Sequence, residues 1–390
     1  MIRTQLQSVT RRPSFIFAAL TVLAIIFFFA VSRLVRRYGE QEKALARRMY
    51  AQGRSEQAAG HPERSLEDFR AALLYDRDNF QYQLSLARAL RDSGRTDEAE
   101  GYLLRLWEAN PQDGAVNLAL GRLDARRGSV EGALHYYHNA IYGIWPGNAE
   151  NARNDAEFEL IEFLIKAGAN PQAQAELITL AATHPYDKDT NIRIAQLFLQ
   201  VDDYEHALAG FEAVWNHDRE NAAAAAGAGE AAFALGRYRN AEFYLRSAVN
   251  LNSADRRSRE LLQMATMILE SDPFSRGITE TERINRVRVA YDQAGSRLDA
   301  CAKEQGIDLT KLDGQTGTIA TLRTRWMAMK PTMRRLNVLS GQADMAGAVM
   351  DLVADIEQET TKTCGEPTGA DKALLLMTQE RSAPDMGAEK

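Results

Sequence analysis

Cysteine is nearly absent: Cys301 and Cys364 are the two in a chain of 390 residues. That excludes a zinc ribbon and a disulfide-dense scaffold, and neither cysteine opens a CxxCH haem-attachment run. Histidine is scarce as well, and none follows His217, which weakens a Cys-His nucleophile beside either thiol. There is no basic excess. The net charge is −6, so the protein as a whole is not built to hold nucleic acid. Glycine is scattered rather than periodic, which excludes a collagen-like chain. No phosphate-cradling loop, dinucleotide fingerprint or nucleophile elbow is present. Nothing in the sequence therefore argues for an enzyme, a cofactor or a resident metal. What is present is an ordinary folded composition, 45% hydrophobic and 26% charged, in a chain too long for one compact core.

Charge is missing from Pro13 to Ser32, and Phe15 to Val31 is almost purely apolar. A helix of that length spans roughly 30 Å, the thickness of a hydrocarbon core. Arg11 and Arg12 bound it on one side, and Arg33, Arg36 and Arg37 on the other. The expectation is a tail over residues 1–13 and a transmembrane helix over 14–34. A cleaved signal peptide with a site at Ala30-Val31-Ser32 is the alternative, although the apolar run exceeds the usual length. A buried core helix is the other alternative. The flanking Lys and Arg are nearly balanced and lean slightly toward a cytoplasmic soluble region.

Beyond this stretch the sequence repeats. Gly60, Gly94 and Gly128 recur at one even step, thirty-four positions each time, and Ser65, Ala99 and Ala133 follow at the same step. So do Phe69, Leu103 and Tyr137, and Ala72, Leu106 and Ala140. After a short insertion the register restarts at Gly168, Ala173, Leu177 and Leu180. It continues at the same step with Asp202, Ala207, Phe211 and Val214, then with Gly236, Ala241 and Ala248, Tyr244 standing one place early. A small residue recurs earlier in the units as Gly53, Ala87, Gly121, Ala195 and Gly229; the fourth unit departs with Ile161. This pattern resembles the tetratricopeptide repeat, over residues 46–255. The resemblance implies an all-α fold: six helical hairpins stacked in a right-handed superhelix, with a concave groove lined by the first helix of each pair. It also implies a protein-binding scaffold. Amphipathic spacing supports paired helices that bury their apolar stripes only by stacking. Residues 256–272 read as a capping helix that stops at Asp272-Pro273.

Residues 279–380 show no such register and read as a small C-terminal helical domain, with a disordered tail over 381–390. Helices are expected over Thr281–Gln305, Thr318–Lys330, a further run to Gly341 that Pro331 starts or kinks, Asp344–Thr361 and Ala370–Glu380. Cys301 and Cys364 both fall in this domain. A disulfide between them is the expectation, and two free thiols the alternative. A disulfide would lie outside the reducing cytosol. That outweighs the near-even flanking charges and gives a single-pass protein of a bacterial inner membrane with its soluble region in the periplasm.

On the first helices, the resemblance places Arg47, Tyr50, Arg54, Arg88, Arg91, Arg122 and Arg126 along the groove, opposed by Asp92. The later repeats place Asp155, Phe158, Glu162, Asp189, Ile192, Glu230 and Phe233 there. From Asn154 to Asp255 acids outnumber bases 16 to 7. This is either ordinary surface charge or a groove for a partner-protein segment, with an acidic end toward the arginines. The two-carboxylate clamp of some family members is not reproduced: among Tyr50, Arg54, Ser85, Ala115 and Ala119 only Arg54 is cationic. Glu131, His135 and His138 could share a helix face, but solvated polar residues explain them better than a metal site. The expected function is a membrane-anchored scaffold whose groove binds another protein in a membrane or envelope complex. The alternative is an assembly or chaperone-like factor for exported clients. Neither reading fixes the oligomeric state.

Overall fold

A computed structural model of the protein describes residues 13–147, 149–308, 317–335 and 343–382. The tail over 1–12, the last eight residues and the end of the helix expected to reach Gly341 lie outside them. The described residues carry the helices α1 (Pro13–Ala58), α2 (Pro62–Tyr75), α3 (Phe80–Asp92), α4 (Thr96–Ala109), α5 (Gly114–Arg127), α6 (Val130–Ile141), α7 (Glu150–Lys166), α8 (Asn170–Thr183) and α9 (Lys188–Gln200). These are followed by α10 (Tyr204–His217), α11 (Ala222–Ala234), α12 (Tyr238–Leu251), α13 (Arg256–Ser271), α14 (Glu280–Glu304), α15 (Thr318–Arg335), α16 (Ala343–Cys364) and α17 (Gly369–Ser382). Among the described residues there is no strand, only an isolated bridge between Asp113 and Ile144.

The hairpins follow from local chemistry that repeats along the sequence. The residues between paired helices are Gly60, Gly94, Gly128, Gly168 and Gly236, all with φ between 73° and 78°. Only glycine adopts that left-handed turn without steric cost. In the fifth hairpin Asp202 stands there instead, with φ 60°. Aspartate is among the few other residues that tolerate this region. Most first helices are marked at their start too, the one that follows Ala149 excepted. Asn79 and Asp113, then Asp187, Asn221 and Asp255, each accept a hydrogen bond from the backbone N–H three residues on. These caps keep the same step, a second periodic signal under the apolar one.

The molecule forms two compact units, one up to Glu176 and one from Leu177, with the division inside α8. In the first unit, Leu66, Phe69, Leu86, Leu90, Ala99 and Leu123 form one core cluster, and Leu84, Leu103, Leu106, Val116 and Leu120 another. Glycine lets the paired helices touch: a Cβ on Gly53 would lie 2.8 Å from the Phe69 ring. Gly128 and Gly168 stand farther apart than the repeat step, and the six extra positions go into the loop after α6 and a longer α7. That loop is pinned. Gly114 N–H donates to the Ile144 carbonyl at 2.9 Å and Ile144 N–H to the Gln112 carbonyl at 2.7 Å. Trp145 lies on Gly114 and donates to the Ala140 carbonyl at 2.8 Å.

The sequence separates a membrane span ending at 34 from repeats starting at 46, but a single helix covers both. α1 runs 46 residues without a break. Residues 35–45 are mostly good helix formers, with Gly39 the weakest position, so nothing interrupts the backbone ladder. Residues 16–31 are exposed, with Phe27 at 69%, and the helix is long and apolar enough to cross a membrane. Ala46 is the first residue of α1 to be buried.

In the second unit, Val214, Trp215, Ala224, Ala225 and Ala248 hold α10 to α12 together. The C-terminal helices do not form a core of their own. Val287, Leu298, Val349, Val353 and Ile356 share one cluster with Tyr238 and Ile268 from the last hairpin and α13. Tyr291 and Trp326 stack at 4.8 Å within it, each donating to the other's backbone carbonyl. Cys301 and Cys364 are joined in a disulfide, their Cα atoms 5.7 Å apart. Pro331 sits inside α15 without ending it.

Candidate functional site: an arginine cluster on the first helices

In the first unit, α1, α3, α5 and α7 are the first helices of successive hairpins, and polar side chains join them sideways. The Tyr50 hydroxyl meets Ser85 Oγ at 3.2 Å, linking α1 to α3. Arg126 on α5 donates through Nη1 to the Arg91 carbonyl at 2.6 Å, and its Nη2 stands 3.5 Å from Asp92 Oδ1 on α3. Arg122 on α5 grips Glu159 on α7 through Nε at 2.7 Å and Nη2 at 2.5 Å. Tyr137 donates to the same carboxylate at 3.3 Å. The hydrogen bond to Glu159 holds the Arg122 pKa above the ordinary arginine value.

The sequence expectation of a row of arginines opposed only by Asp92 is therefore modified. Arg122 has a bidentate carboxylate partner. Arg91 donates to its neighbour Asp92 at 2.8 and 3.0 Å, and Arg126 leans on the same acid. Arg88 is different. It makes no hydrogen bond or ion pair among the described residues, and its Nε is buried without an acceptor. Burial lowers its pKa, and the positive charges of Arg122 and Arg91 lower it further. Arg91 Nη1 is also buried and unpaired. Arg47 and Arg54 are exposed at the α1 end.

Three aromatic expectations also change. Phe158 is 6% exposed and belongs to the core, because its position on α7 follows the buried stripe of Ala156, Leu160 and Ile161. Tyr50 is half-buried between the rings of Phe69 and Tyr82, with centroids at 5.6 and 4.6 Å. In the second unit, Phe233 is half-buried with its ring 5.3 Å from Tyr238. It lines a cleft of about 530 Å³ with Gln200, Tyr204, Glu230, Leu261 and Lys372. Glu230 is taken by Arg257 at 3.0 Å. His138 turns to Glu176 at 2.9 Å and His135 to Asn139 at 3.2 Å, so the two histidines do not converge.

Glu159 is the residue that sequence reasoning misses. With the insertion after α6, the position equivalent to Arg122 on α7 is Glu162, and Glu159 lies one helical turn before it. Arg126 pairs in register, since Asp92 stands one full repeat earlier.

Comparison with known proteins agrees with the hairpin geometry. Family models of the tetratricopeptide repeat match residues 50–114, 86–149 and 222–255, together about a third of the sequence. These segments are tetratricopeptide repeats. Anaphase-promoting complex subunit 3 of Schizosaccharomyces pombe is 25% identical over 167 residues, 43% of this chain. The match spans about a quarter of that protein's length. Among solved structures, YrrB, described as a tetratricopeptide protein with an unusual peptide-binding site, is 16% identical with a TM-score of 0.37, over 49% of this chain and 96% of its own. The type IV pilus biogenesis factor PilW is 16% identical with a TM-score of 0.38, over 56% and 98%. PilF of Pseudomonas aeruginosa is 14% identical with a TM-score of 0.39, over 56% and 97%.

Proposed function

We propose that this protein is a membrane-anchored scaffold whose first helices form a groove for a segment of another protein. The observation that carries the proposal is the cross-linked row of α1, α3, α5 and α7. Polar side chains from successive hairpins converge on one side, and Arg91, Arg122 and Arg126 there are held in place before a partner arrives. Side chains fixed in advance lose little freedom on binding. The exposed apolar half of α1 supports anchoring in a membrane. The disulfide supports a soluble region in an oxidising compartment, which for a bacterial inner-membrane protein is the periplasm. The role we assign to this row of helices is recognition of another protein.

The test is cross-linking in native membranes with the full-length protein as bait, using photo-reactive residues at Arg54 and Arg126 on the groove side and at Phe243 on α12 as a control. One or a few defined proteins captured from the groove positions, and not from Phe243, are expected. Capture of many unrelated exported proteins would favour a chaperone-like factor instead. Equal capture from all positions would refute the groove.

A further inference from the structure

We infer that Arg88 is the anchor for one carboxylate of the partner, an assignment that rests on the groove reading above. Its three arginine neighbours already have acceptors: Arg122 has Glu159, and Arg91 and Arg126 share Asp92. Of these four, Arg88 on α3 is the one with no carboxylate partner; it is half-buried, with an unsatisfied Nε, and feels the charges of Arg91 and Arg122. A cation held in a partly desolvated place beside two like charges raises the energy of the free protein. An arriving anion relieves that cost, and the relief appears as affinity.

The surroundings select the anion. Arg88 offers one positive charge without an acceptor, so one negative charge matches it. Carboxylates already stand close by: Glu159 and Asp92 at the neighbouring arginines, and Asp113 and Asp155 within electrostatic range of Arg88 and Arg122 respectively. A second negative charge on the ligand would face them across a short distance. A planar guanidinium also matches a carboxylate with two parallel N–H donors. An Asp or Glu side chain, or a free terminal carboxylate, therefore fits, whereas a dianionic phosphate does not. The half-buried Tyr50 hydroxyl, held by the buried Ser85 of α3, adds a polar group that a peptide backbone could meet.

The experiment uses the full-length protein in lipid nanodiscs, panned with a random twelve-residue peptide library. Selected peptides are then synthesised in four forms: unchanged, with acids replaced by amides, with an amidated C-terminus, and with phosphoserine at the acidic position. The expected result is a peptide that needs one carboxylate and loses about ten- to a hundredfold in affinity on Arg88→Gln, the span of one charge-assisted contact. Arg88→Lys should recover part of the loss, and Arg126→Gln should cost less than Arg88→Gln. The amidated form separates a terminal carboxylate from a side chain, and either supports the anchor. The Arg88→Gln protein should melt no lower than its parent, because it loses no partner. Peptides that cross-link to α3 or α5 but ignore Arg88→Gln would remove the anchor and leave the groove. Tighter binding of the phosphoserine form would overturn the monoanion. A large fall in melting temperature would make Arg88 a structural residue. Absence of any bound peptide would overturn anchor and groove together.

Discussion

Gly121 shows what the small positions of the repeat do. A Cβ there would lie 3.0 Å from the Tyr137 ring and 3.2 Å from its backbone nitrogen. The ring can swing, but the backbone cannot, so Gly121→Leu must push α5 and α6 apart. A loss of about 1–3 kcal/mol is expected, measured by urea unfolding. Gly101 on α4 supplies the contrast. It is exposed and has nothing within 4 Å of an added Cβ, so Gly101→Ala should stabilise by about 0.5–1 kcal/mol. A second residue to follow is Glu357. Its carboxylate is fully buried and accepts no hydrogen bond, although Arg297 Nε lies 3.3 Å away and bonds Thr360 instead. Burial pushes its pKa up to about 8; the charge of Arg297 pulls it down and that of Asp371 adds a little. The folded protein therefore holds this proton where the unfolded one has released it. Stability from Glu357 is complete below the ordinary carboxylate range and is lost as pH rises toward 8. The total is a few kcal/mol at roughly 1.4 kcal/mol per pH unit. Thermal unfolding between pH 5 and 9 should show the decline, and Glu357→Gln should flatten it.

At the scale of elements, the disulfide joins the last turns of α14 and α16, and Arg297 adds bonds from α14 to Thr360, Thr361 and Gly365 near the same end. The two cysteines are 63 residues apart in sequence. Closing a loop of that length stabilises by about 4 kcal/mol in the chain-entropy model. Reduction should therefore raise hydrogen exchange in α14 and α16. Because their core also includes Tyr238 and Ile268, the increase should extend into α12 and α13 and spare α2 to α6. Exchange confined to α14 and α16 would show that the common core transmits nothing. This sharing is where the sequence was least informative. The helices were legible from their apolar spacing, to within a residue or two for α14 and α17. The repeat step, restarted once after the insertion, located the paired helices between Pro62 and Leu251. It could not reveal that α13 is a bridge rather than an end, because a shared core depends on faces that meet only in space. The arginine cluster was legible in the same partial way. Repeat register placed Arg88, Arg91, Arg122 and Arg126 on one surface. It did not find Glu159, which pairs one helical turn out of register, or the burial of Phe158.

For the whole molecule, the consequence of α1 lies in rotation. A helix continuous from the apolar span to the first repeat is a shaft, so in a membrane-anchored protein the groove has a fixed rotational phase about the anchor. The stretch from Ser32 to Ala46 is about 21 Å long at about 1.5 Å per residue. Each alanine inserted after Glu40 would turn the repeats by about 100° and lift them by about 1.5 Å. If the partner is itself fixed in the same membrane, complex recovered from membranes should fall sharply with two or five added residues. It should return with four or seven, where the accumulated angle comes back to within about 40° or about 20° of the start at that turn per residue. A smooth decline with length, without that periodicity, would mean that the shaft bends and the anchor serves only as a tether.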